Sequence, residues 1–450
     1  MPSPCAPPPF RIILAGMIRS SRFFLVLFAA WCLNAQDINW PQFRGPRGDG
    51  TSTSTGLPLH WSEQPASNIK WKTAIHGRAW SCPVIWGNQV WLTTATEDGR
   101  ELFVVCLDRD SGKITRDLKL FDVPNPQFAH QFNTYASPTP AIEAGRLYVS
   151  FGSPGLACLD TETGKVLWTR RDFECNHYRG AGSSPILYKN LFILNFDGSD
   201  HQFIVALDKQ TGKTMWQKNR SVDYRDLDPN GKVQNEGDFR KAFATCHVAD
   251  IDGHATLLSQ GAKAFYAYEP TTGDELWRVE ERSSHSGATR PLVGQGLIFY
   301  PSGFSQGLVL AIRPGKKGEV LDVNAPASGT SQLQLAWKAK KSVPKKPSLL
   351  LVGDLLFGID DNGVATCWEA KTGHVIWNER IGGNYSAAPL AAEGRLYFFS
   401  EEGKTTVIAA DREFKKLAEN QLGDGFMASP AVSGKALFLR SRTNLYRVEE

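Results

Sequence analysis

Ala206–Leu207–Asp208–Lys209–Gln210–Thr211–Gly212–Lys213–Thr214–Met215–Trp216 is the segment from which the architecture can be read. An apolar run leads into it, a polar turn follows, and a second run ends on Trp216. The Asp can accept hydrogen bonds from turn amides, and the Gly supplies a positive φ, so the segment reads as a hairpin. The same spacing returns at Cys158–Leu159–Asp160–Thr161–Glu162–Thr163–Gly164–Lys165 to Trp168. Ala267 to Trp277 and Cys367 to Trp377 repeat it, with Glu269 and Glu369 in place of Asp. Cys106 to Arg116 keeps the turn without the Trp, and Ala409–Ala410–Asp411 keeps only the start. Ala311 leads into a longer connection, so that Trp337 arrives late.

A second element precedes each copy. It is a small residue one or two places before Pro, followed by a short apolar run. It stands at Ser81–Cys82–Pro83, Ala136–Ser137–Pro138, Ser183–Ser184–Pro185, Thr289–Arg290–Pro291, Ala387–Ala388–Pro389 and Ser429–Pro430, with variants at Thr245–Cys246–His247 and Pro347–Ser348–Leu349. The spacing falls in the period range of propeller repeats. Runs such as Leu191–Phe192–Ile193–Leu194 are strands by length and composition. The pattern predicts an all-β fold, an eight-bladed β-propeller of four-stranded antiparallel blades. The last unit has room for three strands. Residues 68–75, with Trp71, carry the outer-strand pattern and belong to no other unit. This N-terminal strand is expected to close the last blade and pair its edge. The alternative is seven blades and an orphan hairpin.

The chain has 450 residues, with 50 Lys and Arg against 46 Asp and Glu. The first 35 residues hold Arg11, Arg19 and Arg22 and no acid, so 47 basic residues remain against 46 acidic ones. Arg19 to Arg22, then Phe23 to Leu33, form a basic region and an apolar core of signal-peptide type, with Asn34–Ala35 as the cleavage point. The true start is expected at Met17, and the alternative is an uncleaved anchor. Trp31 before Cys32 argues against lipoprotein processing. The expected organisation is a signal peptide over 1–35, an extended lead-in over 36–67 and the propeller over 68–450. The protein is expected to be periplasmic or secreted by a Sec-type route, monomeric, and without an integral membrane span. A near-neutral exported chain without an aromatic–basic reading surface is not a nucleic-acid binder.

At 158–168, 206–216 and 262–277 the chain resembles the pyrroloquinoline-quinone-like (quinoprotein-dehydrogenase-like) propeller family. The likeness is to its BamB-like branch, and Trp40–Pro41–Gln42–Phe43–Arg44–Gly45–Pro46 resembles the lead-in of its exported members. The resemblance implies one of two activities. One is a non-catalytic scaffold for an envelope protein partner, or for a small polar or carbohydrate-like ligand. The other is a dehydrogenase of alcohols or aldose sugars that uses pyrroloquinoline quinone and calcium. The second implies a vicinal disulfide and a Glu, Asn and Asp calcium site. The sequence has no adjacent Cys pair and no carboxylate cluster that can be matched. The reading is therefore a scaffold with no catalytic residue, no metal and no cofactor.

Six cysteines follow the leader. Cys106, Cys158 and Cys367 fill the small-residue slot, and Cys82 and Cys246 are assigned one shared inner-strand position, so buried thiols are expected. Cys175 has no place in the pattern. Gly303 to Gly307 matches Gly-x-Ser-x-Gly, but a strand pattern follows instead of a helix, so it reads as a hairpin. Asp250 to Gly253 reads as a turn, and the basic run Lys338 to Lys346 as a solvated loop before the sixth blade. Binding is expected in the loops joining one blade's outer strand to the next blade's inner strand. His76, His130, His177 and His285 all precede an inner strand there, with Arg179 and Arg290 nearby. These six are the candidate ligand or partner residues. The alternative is that each His caps its own loop across a wide channel mouth.

Overall fold

The computed structural model describes residues 37–304, 307–325 and 330–450. The signal peptide falls outside them, as does Ser305. The described residues belong to one compact unit. They form successive sheets built on four-stranded antiparallel meanders, the architecture of a β-propeller. Eight such sheets are present among the described residues. In chain order they span 84–122, 141–170, 186–219, 247–280, 292–339, 350–380 and 390–421. The last combines 431–448 with Ile69–Ala74. Ile69–Ala74 pairs antiparallel with Asn444–Val448, so a strand from the N-terminal side completes the C-terminal sheet.

The repeat has a physical basis at each position. Asp208 Oδ1 accepts from the Thr211 amide at 2.9 Å and from its hydroxyl at 2.8 Å, which closes the turn. Asp160 does the same for Thr163, at 2.7 Å in both bonds. The small residue stands opposite the Trp in the neighbouring strand: Cys158 faces Trp168, Ala206 faces Trp216 and Cys367 faces Trp377. A bulge follows each of these small residues.

Each Trp then reaches the next sheet. Trp168 Nε1 donates to Lys209 O at 3.0 Å, Trp337 Nε1 to Ala370 O at 2.9 Å, and Trp71 Nε1 to Arg109 O at 3.0 Å. Where Arg116 replaces Trp, its guanidinium donates to Glu162 O, so the bond to the following turn is kept. The turn glycine lies under the indole of the preceding sheet. At Gly212, φ is +72° and a Cβ would come within 2.8 Å of Trp168. Gly212→Ala should therefore cost about 2 kcal/mol or more, from backbone strain plus overlap. Chemical denaturation of the two proteins measures the loss.

The innermost strands are joined by a second device. The residue two places before each strand donates its amide to the side chain of the equivalent residue in the next sheet. Cys82 donates to Thr139 Oγ1, Thr139 to Ser184 Oγ and Ser184 to Thr245 Oγ1, at 2.9–3.0 Å. Arg290 donates to Ser348 Oγ and Ala388 to Ser429 Oγ, at 3.0 and 2.9 Å. Ser429 donates to Cys82 Sγ at 3.1 Å, which links the last sheet to the first. The two junctions without such a bond are those where Arg290 and Ala388 offer no acceptor. The register corrects two assignments: the second sheet opens at Thr139–Pro140, not Ser137–Pro138, and Thr245, not Cys246, is the equivalent of Cys82.

The lead-in packs into the propeller. Trp40 bridges to Ile85 of the first sheet, and Pro41 O accepts from Ile142 N of the second. Thr51–Ser52 pairs parallel with Ala391 and Ala392 of the seventh. It thus crosses from one side of the inner strands to the other. Where the seventh sheet has Ala418 in the Trp position, Leu57 and Trp61 of the lead-in join its core. The longer connection after Ala311 contains Glu319–Asp322, which adds a parallel strand beside Glu275–Glu280. Lys338 lies in the strand Gln334–Ala339, so the basic run begins inside a sheet and only its later part is loop. All six cysteines of the described residues are free and buried.

Candidate functional site

Two insertions build the site, over 122–134 and 219–243. The first is tied to the loop that follows the second sheet. Asn133 Nδ2 donates to the carbonyls of Arg179, Gly180 and Ala181 at 2.9–3.1 Å, and His130 N donates to Arg179 O. The second is anchored at its root by Arg220. Its Nε and Nη2 bind Asp197 Oδ1 and Oδ2 at 2.8 and 2.6 Å, with both side chains fully buried. Arg220 is held well above the ordinary arginine range because the adjacent Asp197 carboxylate outweighs desolvation.

Between the insertions lies a cleft of about 560 Å³ lined by Gln127, Phe128, Asn176, Tyr178, Arg179 and Glu236. Arg179 approaches Asp238 at 3.6 Å, and Lys241 also pairs with Asp238. Arg179 and Lys241 both lie over the Tyr178 ring, at 5.4 and 5.3 Å. Nearby apolar rings face solvent: Phe128 is 66%, Phe132 58% and Phe304 69% exposed. His130 stacks on Phe132 and Lys346 lies over the same ring. Large exposed aromatics held by ordered polar loops are the usual composition of a partner surface.

The candidate residues separate into three groups. His130, Arg179 and His285 belong to this cleft and its rim. His285 packs on Phe239, and Ser286 N donates to Lys241 O. His177 lies beneath them, buried, with its Nε2 accepting from Ser153 N at 3.0 Å and its Nδ1 3.8 Å from Cys175 Sγ. Cys175 thus fills the interior of the loop. His76 stands apart and pairs with Asp117 at 3.0 Å on the first sheet. Arg290 is also separate, fully buried among the inner strands, where its Nη1 donates to Phe43 O of the lead-in. Asp238, Lys241 and the exposed phenylalanines were not singled out from the sequence. The alternation Phe128–Ala129–His130–Gln131–Phe132 in an otherwise polar insertion was the available signal.

Burial pushes His177 from its usual 6.5 down to about 4. In the unfolded chain it titrates near 6.5, so between these values protons bind the unfolded chain preferentially. Its contribution to stability is complete above pH 6.5. It should fall by about 1.4 kcal/mol per pH unit as pH drops from 6.5 toward 4. Burial moves His285 the same way, to about 4. Denaturation midpoints measured from pH 7.5 to 4.5 should show this slope. His177→Gln, which keeps an acceptor for Ser153 N, should make it shallower.

The fold is thus a β-propeller that carries a cleft between two insertions on its loop face. A family profile (PQQ_2) described as outer membrane protein assembly factor BamB matches residues 104–232, 200–318 and 316–421, and the chain belongs to this family. The outer membrane protein assembly factor BamB of Shewanella oneidensis is 26% identical over 320 residues, covering 66% of this chain and 70% of that protein. Among solved structures, a europium-containing methanol dehydrogenase superposes with a TM-score of 0.66 at 12% identity, covering 92% of this chain and 98% of that one. BamB from Moraxella catarrhalis gives 0.54 at 14% identity, over 84% and 99%. At these identities the structural likenesses show the fold.

No three His, Cys, Asp or Glu side chains among the described residues are placed to hold a metal ion, and no two cysteines are neighbours in sequence. The vicinal disulfide that the resemblance implies for a dehydrogenase has no counterpart among these cysteines. Among the described residues no helix is long and apolar enough to cross a membrane.

Proposed function

We propose that the protein is an envelope scaffold that binds a protein partner on the loop face between the 122–134 and 219–243 insertions, in outer membrane protein assembly. The observation that carries this is the pairing of exposed Phe128 and Phe132 with a cleft whose cations are already ordered on Tyr178. Family membership supports the setting. In this reading each of the eight sheets is one blade, Ile69–Ala74 closes the ring, and the protein acts as a monomer without cofactor. The binding residues are His130, Arg179 and His285 with Tyr178, over a base set by His177. His76 and Arg290 are supports outside the contact.

Pre-ordered side chains reduce the entropy lost on binding. Aromatic and arginine anchors then carry most of the affinity. Replacing Phe128, Phe132 and Arg179 together by Ala should weaken partner capture at least about 30-fold. The check is affinity purification from the detergent-solubilised envelope of the source organism, with mass spectrometry of what is retained. Capture that survives the triple substitution, or retention of only a carbohydrate-like molecule, would overturn the reading.

A further inference from the structure

The centre of the inner strands holds an excess of buried positive charge. Arg44, Arg290 and Arg440 are each 2–3% exposed, and none makes an ion pair with a carboxylate. Arg440 spends Nη1 on Ser81 O, Ser81 Oγ and Thr93 O. Arg44 and Arg290 are less well supplied. Arg44 Nη2 donates to Asp49 O and, at 2.5 Å, to Leu349 O. Arg290 donates through Nη1 to Phe43 O at 2.6 Å and through Nη2 to Gln42 Oε1 at 3.2 Å. Arg44 Nε and Nη1, Arg290 Nε and His247 Nδ1 are buried without a partner.

These groups converge at one junction. Arg290 N donates to Ser348 Oγ, next to the Leu349 carbonyl that Arg44 binds, and Arg290 replaces the hydroxyl that would otherwise join the fourth sheet to the fifth. His247 opens the inner strand of that fourth sheet. Its basicity is driven well down by burial and then by the charges of Arg290 and Arg44. Burial brings Arg44 to about 9 and Arg290 to about 10, so both stay charged at neutral pH. The charge of Asp49 reaches both guanidiniums, but its carboxylate binds the Thr51 amide and hydroxyl at 2.8 Å rather than either of them. Buried cations left in this state are costly unless an opposite charge or dipoles meet them.

We propose that this junction is a binding site for one small monovalent anion of halide size, held by Arg44 and Arg290 with His247 and enclosed by the lead-in. The size follows from Gly48 and Gly50. A Cβ at Gly48 would overlap the Arg290 guanidinium, and one at Gly50 would lie 2.6 Å from Arg44 Nη2. The lead-in turn therefore lies directly on both groups, so a ligand would meet their N–H edges beneath a closed turn, which favours a small ion over a sulfate. The anion is sealed in as residues 40–52 dock, so it binds the folded ring and not the open chain.

The test uses the whole mature protein in sodium gluconate, titrated with chloride or bromide at constant ionic strength. A saturable rise in melting temperature of about 3 °C or more is expected with both halides. Crystals grown in bromide should show an anomalous peak beside Arg44 Nε and Arg290 Nε. In Arg290→Gln the rise and the peak should both disappear. If that variant does not fold, the halide series and the bromide map of the unaltered protein decide. Water alone at the junction, an equal rise with sulfate, or a peak without saturation in solution (binding at crystal concentration only) would overturn the proposal.

Discussion

A protein lacking residues 68–75 should unfold at a far lower temperature than the intact chain, or fail to fold. Those residues supply Ile69–Ala74, the outer strand of the last sheet. Without it, Leu445, Tyr446 and Val448, now fully buried, lose a covering strand, and a row of backbone groups loses its partners. Trp71 also leaves Arg109 O and the turn at Gly112. Five lost ladder positions at about 1 kcal/mol each, together with uncovered apolar side chains, come to about 5–10 kcal/mol. That rivals the whole stability of an ordinary domain. Trp71→Ala alone should cost about 2 kcal/mol, since the ring is half-buried. Lys70→Ser, on the exposed side of the strand, should change stability by about 0.5 kcal/mol or less. Thermal and denaturant unfolding of the three proteins separates these cases. An unchanged transition in the deletion would remove the idea that this strand closes the fold.

That strand was legible because outer strands carry one repeated feature. The Trp stands beside a bulge and reaches the next turn, so its spacing is fixed by geometry that recurs in six of the eight sheets, although Trp71 itself faces Arg447 where the others face a small residue. Trp71 could be assigned by pattern alone. Arg116 could not be assigned a role in the same way, because a guanidinium doing the work of an indole leaves no repeated letter. The inner-strand belt was half legible. Its hydroxyls were visible as small residues before Pro, but Ser137 and Thr139 both fit, and only the pairing register chooses Thr139. The lead-in carried no periodicity that could show where it packs. Its contacts with the first, second, fifth, sixth, seventh and eighth sheets arise from closure of the ring, which no local window contains. The same holds for the loop face. His130 and Arg179 were found by position within the repeat, while Asp238 and Lys241 sit in an insertion that belongs to no repeat. Arg290 fitted the pattern of a loop residue because it precedes Pro291, yet its side chain turns inward to meet the lead-in.

Arg220→Met is expected to cost about 3–5 kcal/mol, the usual loss when one member of a buried ion pair is removed. Asp197 would be left with its charge buried among Tyr224, Tyr266 and Tyr268, whose desolvated phenols are themselves pushed upward. The guanidinium also lies 5.0 Å over the Tyr266 ring and donates to the Tyr268 hydroxyl at 3.3 Å, contacts that methionine keeps only in part. A double change, Asp197→Leu with Arg220→Met, should recover much of the stability, because the stranded charge is gone. Binding should not recover with it. Arg220 stands where the 219–243 insertion leaves the third sheet, and Ala242 N returns to Asp197 O where it comes back. Residue 197 therefore meets both ends of the segment that presents Asp238, Phe239 and Lys241 to the cleft, through its carboxylate at Arg220 and through its carbonyl at Ala242. Comparing the two variants by denaturation and by partner capture separates stability from placement. If the double variant regains both, the pair serves only the fold. If it regains stability and stays deficient in capture, the buried ions hold the loop face in its binding arrangement.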